Sequence, residues 1–290
     1  MIGWLIYSEA DAKRNRTYID WLVSGALENG FELKLLYTED IVIGVRNGVN
    51  ILYNQGKELS KPAFVIMRSI SQILSSHFEE MGIRTFNNQT ISAMANHKFL
   101  THQKLSSLGI PMLDTFYYKK STITKSLNTV QFPCVLKNCT GRGGSEVYFI
   151  NNQDELLEIV QNSNFDELLI QNVAEQLGKD LRVFIIGKEI VAAVLRYSEK
   201  DFRANFSLGG GAMLYELSKS EKELIQKIVD RFDFDFVGID FMFDANNQLI
   251  LNEIEDVVGS RTLYTVSDID IVSLYMDYIK KQINYERKKI

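Results

Sequence analysis

The stretch LILNEIEDVVGSR, residues 249–261, closes an apolar run by placing Glu253, Glu255 and Asp256 within four positions. Upstream, VGIDFMFDANNQ sets Asp240 in a second apolar run, with Asn246-Asn247 between the two. If Asn246-Asn247 centres a two-residue hairpin turn, pairing outward from it sets Asp240 opposite Glu253. Side chains alternate along a strand, so Asp240, Glu253 and Glu255 then share one sheet face and Asp256 points the other way. Like charges directly opposed on a sheet destabilise it unless something neutralises them. Crowded oxygen ligands suit Mg²⁺, which takes a few carboxylates and leaves its other positions to water and phosphate oxygens. The competing reading is a solvated acidic strand end, and for Glu255 or Asp256 alone it is the better one. Three carboxylates on one face at the end of apolar strands favour the metal.

A second group is Lys137, ending CVLK, followed by Thr140-Gly141-Arg142-Gly143-Gly144-Ser145. Glycines let backbone N–H groups approach phosphate oxygens, and a lysine on the preceding strand adds a point charge. The loop matches neither GxxxxGK[ST] nor GxGxxG, and many such loops are only hairpin turns. A third group is Asp180, Arg182 and Arg196, followed by Phe202-Arg203-Ala204-Asn205 and Gly209-Gly210-Gly211. Arginine forks suit carboxylates and phosphates; a surface ion-pair cluster would look the same. Lys98 taken alone reads as a surface lysine. His97 and His102 are five apart, not the four that sets two histidines on one helical face, and are read as non-metal.

The elements that must carry these groups follow from periodicity. Apolar runs at 2–8, 31–37 and 62–67 read as buried strands, with Tyr18, Trp21, Leu22 and Ala26 at helical spacing between the first two, a βαβ start. Asn47-Gly48 is a hairpin signal. A helix over 70–81, a strand over 83–87 and one helix from Ser92 to Gly109 follow. Strands at MLDTFYY, FPCVLKN, VYFI and LLIQNV, with a helix over 153–162, make a second unit. A hairpin around Gly187-Lys188, a helix capped by a Ser220–Glu223 box, the Asp240 hairpin and a terminal helix from about Asp268 make a third. These units give domains at 1–88, 89–173 and 174–290.

Composition excludes several classes. With 290 residues and 46% hydrophobic content the chain can fill substantial cores, and a net charge of -5 does not advertise a nucleic-acid partner. The amino-terminal apolar run is short enough to be a strand rather than a signal peptide, and no stretch would span a bilayer. Cys134 and Cys139 fit neither a CxxC pair nor a zinc site. A cytoplasmic protein with reduced thiols is expected.

In order and spacing, HKFLTHQKLSSLGIP, PCVLKNCTGRGGSEV, LIQNVAEQLGKDLRVFIIGKEIVAAVLR, DFRANFSLGGG and VGIDFMF…LILNEIE resemble the ATP-grasp fold, specifically the RimK-type carboxylate–amine ligases with their alpha-L-glutamate ligase and LysX-like members. The resemblance covers about residues 83–280, and residues 1–88 resemble the smaller Rossmann-like α/β domain that precedes the grasp. It implies an α/β (α+β) chain in which two α+β lobes grip ATP. It further implies phosphoryl transfer from ATP to a carboxylate, then amine attack on the acyl phosphate, with ADP and phosphate released. The carboxylate and amine would be small molecules or peptide termini, with no nucleic-acid or membrane partner, and the enzyme a homo-oligomer. An ATP-grasp kinase and a non-catalytic Mg-ATP-binding module are the alternatives.

On the same resemblance, Lys98, Lys137, Gly141, Gly143 and Gly144 would hold the phosphates, Asn172 and Val173 the adenine, and Asp180 the ribose side. Arg196, Arg203 and Asn205 would face the γ-phosphate or the reaction centre. Asp240, Glu253 and Glu255 would bind two Mg²⁺ ions, for which Mn²⁺ could substitute. The chain departs from the family at Asn172, where Glu is usual, at Glu255, where Asn is common, and at Asp256–Arg261, where a Ser-Pro-Gly-like turn is replaced. In that turn Arg261 is the expected clamp for the substrate carboxylate.

Overall fold

The amino-terminal apolar run forms β1 (Ile2–Tyr7), and two helices, α1 (Glu9–Arg14) and α2 (Arg16–Glu28), return the chain to β2 (Glu32–Tyr37), which pairs parallel to β1. The computed structural model describes residues 1–144, 146–199, 201–202, 204 and 210–287. Asn47 and Gly48, with φ of 53° and 75°, make the expected type I′ turn between β3 (Ile41–Arg46) and β4 (Val49–Asn54). Gln55 and Gly56 also take positive φ and add a short β5 (Lys57–Glu58), which the sequence reading did not place. Strand β6 (Phe64–Met67), helix α3 (Gln72–Glu80) and β7 (Arg84–Phe86) complete a parallel sheet of order β2-β1-β6-β7.

The helix expected from Ser92 to Gly109 is two helices, α4 (Gln89–Ala95) and α5 (Lys98–Leu105), the second extended by a 3₁₀ turn. The break has a local cause. The His97 ring caps α5 by accepting from Leu100 N, and the Lys98 amide donates to the Cys139 carbonyl at 2.9 Å instead of continuing α4. Lys98 is thereby the first residue of a helix.

Strands β8 (Thr115–Lys119), β9 (Cys134–Asn138), β10 (Val147–Ile150) and β11 (Glu167–Asn172) form an antiparallel sheet of order β10-β9-β11-β8. Helix α6 (Gln153–Asn162) packs Leu156 and Val160 on Leu136, Ile150 and Leu168, a core separate from the rest. A larger antiparallel sheet follows, of order β14-β13-β12-β15-β16. Its strands are β12 (Lys179–Ile186), β13 (Glu189–Tyr197), β14 (Gly211–Leu214), β15 (Phe236–Phe243) and β16 (Leu249–Glu255). One face buries Leu181, Val183, Ile185 and Ile239 against α4, α5 and α7 (Lys219–Arg231).

The other face changes character along its length. Phe184, Ile186 and Phe236 at one end share a core with Leu22, Phe64 and Phe86 of the amino-terminal unit and with Val272, Met276, Ile279 and Ile283. Those last four form the apolar stripe of α9 (Ile271–Arg287), which follows a short α8 (Arg261–Val266). At the other end the same face carries Asp180, Arg182 and Asp240. The fold is α+β, as expected.

The cap of α7 is Ser218 with Glu221, not Ser220 with Glu223. Ser218 Oγ accepts from Glu221 N at 3.3 Å, and Ser218 N donates to Glu221 Oε2 at 2.7 Å. The sequence SKSEKE offers the Ser-x-x-Glu spacing twice, and the earlier pair wins because the helix already begins at Lys219. Ser218→Ala should therefore cost about 1 kcal/mol in urea unfolding, and Ser220→Ala only a fraction of that.

Candidate active site

The Asp240 hairpin reaches the expected pairing by an unexpected route. Its loop has three residues rather than two: beyond the Phe243–Leu249 pair, Asp244 N donates to the Gln248 carbonyl at 3.0 Å, leaving residues 245–247 as the turn, in which Asn247 takes the left-handed conformation, φ 59°. That register alone would set Asp240 opposite Asn252 and turn Glu253 onto the core face beside Leu251. A β-bulge intervenes at Asn252, so that Phe241 pairs with Leu251 but Asp240 pairs with Glu253. The two departures cancel. Ile254 returns to the core, while Asn252, Glu253 and Glu255 all line the cleft with Asp240.

Oxygens of Asp240, Glu253 and Glu255 lie within 4.8 Å of one another. Cations of the chain itself hold them there. Arg182 forks onto Asp240 at 2.8 and 2.6 Å and reaches Glu255 at 2.9 Å. Arg196 forks onto Asp180 at 2.6 and 2.9 Å and touches Asp240 at 2.9 Å. Lys98 Nζ sits 2.6 Å from Glu253 Oε2. Asp240 and both arginines are buried. Burial alone would raise the Asp240 pKa, but Arg182 and Arg196 overturn that and hold the carboxyl well below the usual range. Asp180 is pushed up to about 6 by burial, which the fork from Arg196 does not fully offset.

The oxygen-only set suits Mg²⁺. Among the described residues, Glu253 Oε1 and Glu255 Oε1 accept no hydrogen bond, which leaves donor atoms for a cation. Lys98 and Lys137 join Arg182 and Arg196 to balance Asp180, Asp240, Glu253 and Glu255 charge for charge.

Across the cleft, Lys98 Nζ donates to the Gly141 carbonyl at 2.7 Å and Lys137 Nζ to Asn252 Oδ1 at 2.9 Å. Burial pushes the Lys137 ammonium down to about 8. Gly141, Gly143 and Gly144 line the same space, and the last two have φ of 67° and 74°, which favour glycine. Asn172 also lines it, its amide donating to the Asp114 carbonyl at 3.1 Å; Val173 does not, although Asn172 and Ala174 on either side of it do. Leu113, Val135 and Met242 supply apolar wall.

Lys98, Lys137, Gly141, Gly143, Gly144, Asn172, Asp180, Arg196, Asp240, Glu253 and Glu255 are thus brought together. Arg261 is not: it is exposed in the first turn of α8, off the cleft wall. Arg203, Asn205, Ser145 and Gly209 lie outside the described residues. The sequence reading missed Asn252, the partner of both Lys137 and, through its carbonyl at 2.8 Å, His102. It grouped Arg182 with Asp180 and Arg196 but left it out of the expected site residues, although Arg182 joins Asp240 to Glu255.

Residues 95–279 match the family model of the RimK-like ATP-grasp domain. Human beta-citrylglutamate synthase B is 25% identical over 267 residues, 87% of this chain and 69% of that one. A probable alpha-L-glutamate ligase of Haemophilus ducreyi is 29% identical over 208 residues, 70% of this chain and 68% of that one. The solved RimK-domain ATP-grasp protein of Sphaerobacter thermophilus shares the fold with a TM-score of 0.72 at 14% identity, covering 96% of this chain and 99% of that one. No helix among the described residues is long and apolar enough to cross a membrane.

Proposed function

The chain belongs to the RimK-like ATP-grasp family and is an ATP-dependent ligase that forms C–N bonds, and from that premise we propose that it joins the amine of an amino acid to a small-molecule or peptide carboxylate. The observation that carries this reading is the carboxylate corner of Asp240, Glu253 and Glu255 facing Lys98, Lys137 and the glycine loop across one cleft. The names of relatives, beta-citrylglutamate synthase and alpha-L-glutamate ligase, support an amino acid as one substrate.

ATP would lie with its base against Leu113, Val135 and Met242 and its phosphates toward Lys98 and Lys137. A substrate carboxylate oxygen attacks the γ-phosphorus, and the bond to the β-phosphate oxygen breaks, giving acyl phosphate and ADP. The amine nitrogen then attacks the acyl carbon, phosphate leaves with the C–O bond electrons, and the nitrogen loses its proton. Mg²⁺, when bound, neutralises charge on the phosphates and polarises them toward attack. Arg182 holds Asp240 and Glu255 in place beforehand, so little reorganisation remains at the moment of reaction. Lys98 exchanges Glu253 for phosphate oxygens when nucleotide enters. A site already neutral accepts a neutral load best, and ATP⁴⁻ with two divalent ions is neutral. That balance favours two Mg²⁺ ions, for which Mn²⁺ could substitute.

The test is ADP release with panels of carboxylates and amines, coupled to mass spectrometry of products. An amide is expected only when both substrates are present. A stable phosphorylated product formed without any amine would make the protein a kinase and overturn the assignment. Nucleotide protection in thermal melts without ADP from any pair would make it a binding module.

A further inference from the structure

Arg68 follows β6 in the amino-terminal sheet and is only 9% exposed. A buried guanidinium ordinarily sits against a carboxylate, because an unpaired charge out of water is costly. Arg68 has no such partner among the described residues. Its Nε donates to Tyr7 Oη at 3.4 Å, its Nη2 donates to the Val258 carbonyl at 2.9 Å, and its Cζ lies 5.2 Å from the centre of the Tyr18 ring. Its Nη1 has no hydrogen-bond partner there. Two hydroxyls beside it, Tyr18 Oη and Ser260 Oγ, are enclosed and face each other without closing to a hydrogen bond of normal length. Ser260 stands at the head of α8 without capping it. The acids closest to this tyrosine cluster are engaged elsewhere, Asp270 by Tyr264 and Asp256 by Asn87 and Asn96.

The position ties this cation to the reaction centre. Val258, whose carbonyl Arg68 holds, places Cγ2 2.6 Å from where a Cβ on Gly238 would be, and Arg182 Nε is 3.6 Å from the same point. Gly238 in turn pairs with Glu255. The preceding carbonyl, Val257, is held at 2.9 Å by Arg142 of the glycine loop. The turn at 256–261 is therefore gripped from the amino-terminal unit and from the loop at once, one residue's breadth from the carboxylates.

We infer that Arg68, with Tyr18 and Ser260, forms a subsite for the unreactive α-carboxylate of the amino-acid amine donor. The assignment rests on the ligase reading above. The carboxylate corner is balanced without Arg68, which leaves one positive charge, enough for a single carboxylate rather than a phosphate ester. A carboxylate on Nη1 would replace a neutral environment with a charge-assisted hydrogen bond, and the two hydroxyls would supply the remaining donors. The subsite replaces Arg261 as the clamp.

The experiment measures binding by calorimetry to the Mg-ADP-loaded protein, using the common L-amino acids, each free and as its α-carboxamide. At least one free amino acid should bind, and its carboxamide should bind about 10- to 100-fold more weakly. Arg68→Met should bring the free acid down to the carboxamide's level while leaving carboxamide and Mg-ATP affinities unchanged, and Arg68→Lys should restore part of the difference. Equal weakening of acid and carboxamide in Arg68→Met would show a merely structural bolt and overturn the proposal. Absence of any amino-acid binding, or of discrimination in the unaltered protein, would do the same. Should Arg68→Met not fold, Tyr18→Phe and Ser260→Ala carry the test, each expected to weaken the acid several-fold and the carboxamide less. Turnover with amines that lack a carboxylate, as fast as with amino acids, would remove the subsite and leave the ligase assignment standing.

Discussion

Glu253→Gln is expected to keep the protein folded and to lower Mg²⁺- and ATP-dependent ADP release on the order of 10³-fold. The side chain keeps its shape and its place opposite Asp240, and loses the charge that answers Lys98 at 2.6 Å. In the ligand-free protein that change leaves Lys98 with the Gly141 carbonyl, a weaker partner but one at 2.7 Å, so the loss of stability should be small. During phosphoryl transfer the charge has no substitute, because the amide oxygen is a poorer ligand for a divalent ion than a carboxylate. Asp256→Asn supplies the contrast. Asp256 points to the opposite side, where it accepts from Asn87 Nδ2 at 2.7 Å and Asn96 Nδ2 at 3.1 Å. Its replacement should cost about 1–3 kcal/mol in unfolding experiments and leave kcat within a few-fold. A comparable collapse of turnover in both variants, with circular dichroism unchanged, would mean that the two acids do not divide into a metal-facing and a structural role.

The contrast between those two acids was legible in the sequence because alternation along a strand is a strong constraint, yet the register behind it was not. A two-residue turn at Asn246-Asn247 and a three-residue turn with a bulge at Asn252 give the same Asp240–Glu253 pair. Only the apolar spacing, Leu249 to Leu251 and then Leu251 to Ile254, betrays the bulge, and it was readable as a change from two to three. The β12–β13 and β15–β16 pairings followed from two hairpins, whereas the β12–β15 pairing that joins them carries no local signal; Lys137 followed from its place at the end of an apolar strand. The break between α4 and α5 was hidden because its causes are distant: the Cys139 carbonyl comes from another strand, and a histidine is an uncommon cap. Arg68 was invisible for a similar reason. Nothing local marks an arginine after a strand as buried, and its partners Tyr7, Tyr18 and Val258 assemble only when the amino-terminal unit meets the turn at 256–261. The Arg261 clamp rested on the replaced turn at 256–261, and the helical turn that begins at 261 leaves that side chain exposed instead.

Lys137→Met is expected to lower kcat/KM for ATP by about 10²–10³-fold and to abolish a pH dependence of nucleotide binding that the unaltered protein shows near pH 8. In the ligand-free protein, burial pushes this ammonium down to about 8, with Glu253 pulling the other way and Lys98 adding to the depression. The unfolded chain holds the proton more tightly, with a pKa of about 10.4. Below pH 8 both states carry the proton, and the folded state bears the full cost of a buried charge. Between about 8 and 10.4 the unfolded state binds more protons than the folded one, so this group's contribution to stability becomes less unfavourable as pH rises through that window. Nucleotide reverses the balance. A triphosphate beside Nζ favours the charged form and raises its pKa, so Mg-ATP binding at pH 8.5 should take up a fraction of a proton, and affinity should fall as pH climbs further. Calorimetry in two buffers of different ionisation enthalpy measures that uptake directly. The Met side chain fills much of the same volume without a proton to gain, so the uptake should vanish in Lys137→Met. If it persists there, the proton enters at another group, and the 2.9 Å contact to Asn252 marks Lys137 as a brace for the bulge rather than a ligand of the nucleotide.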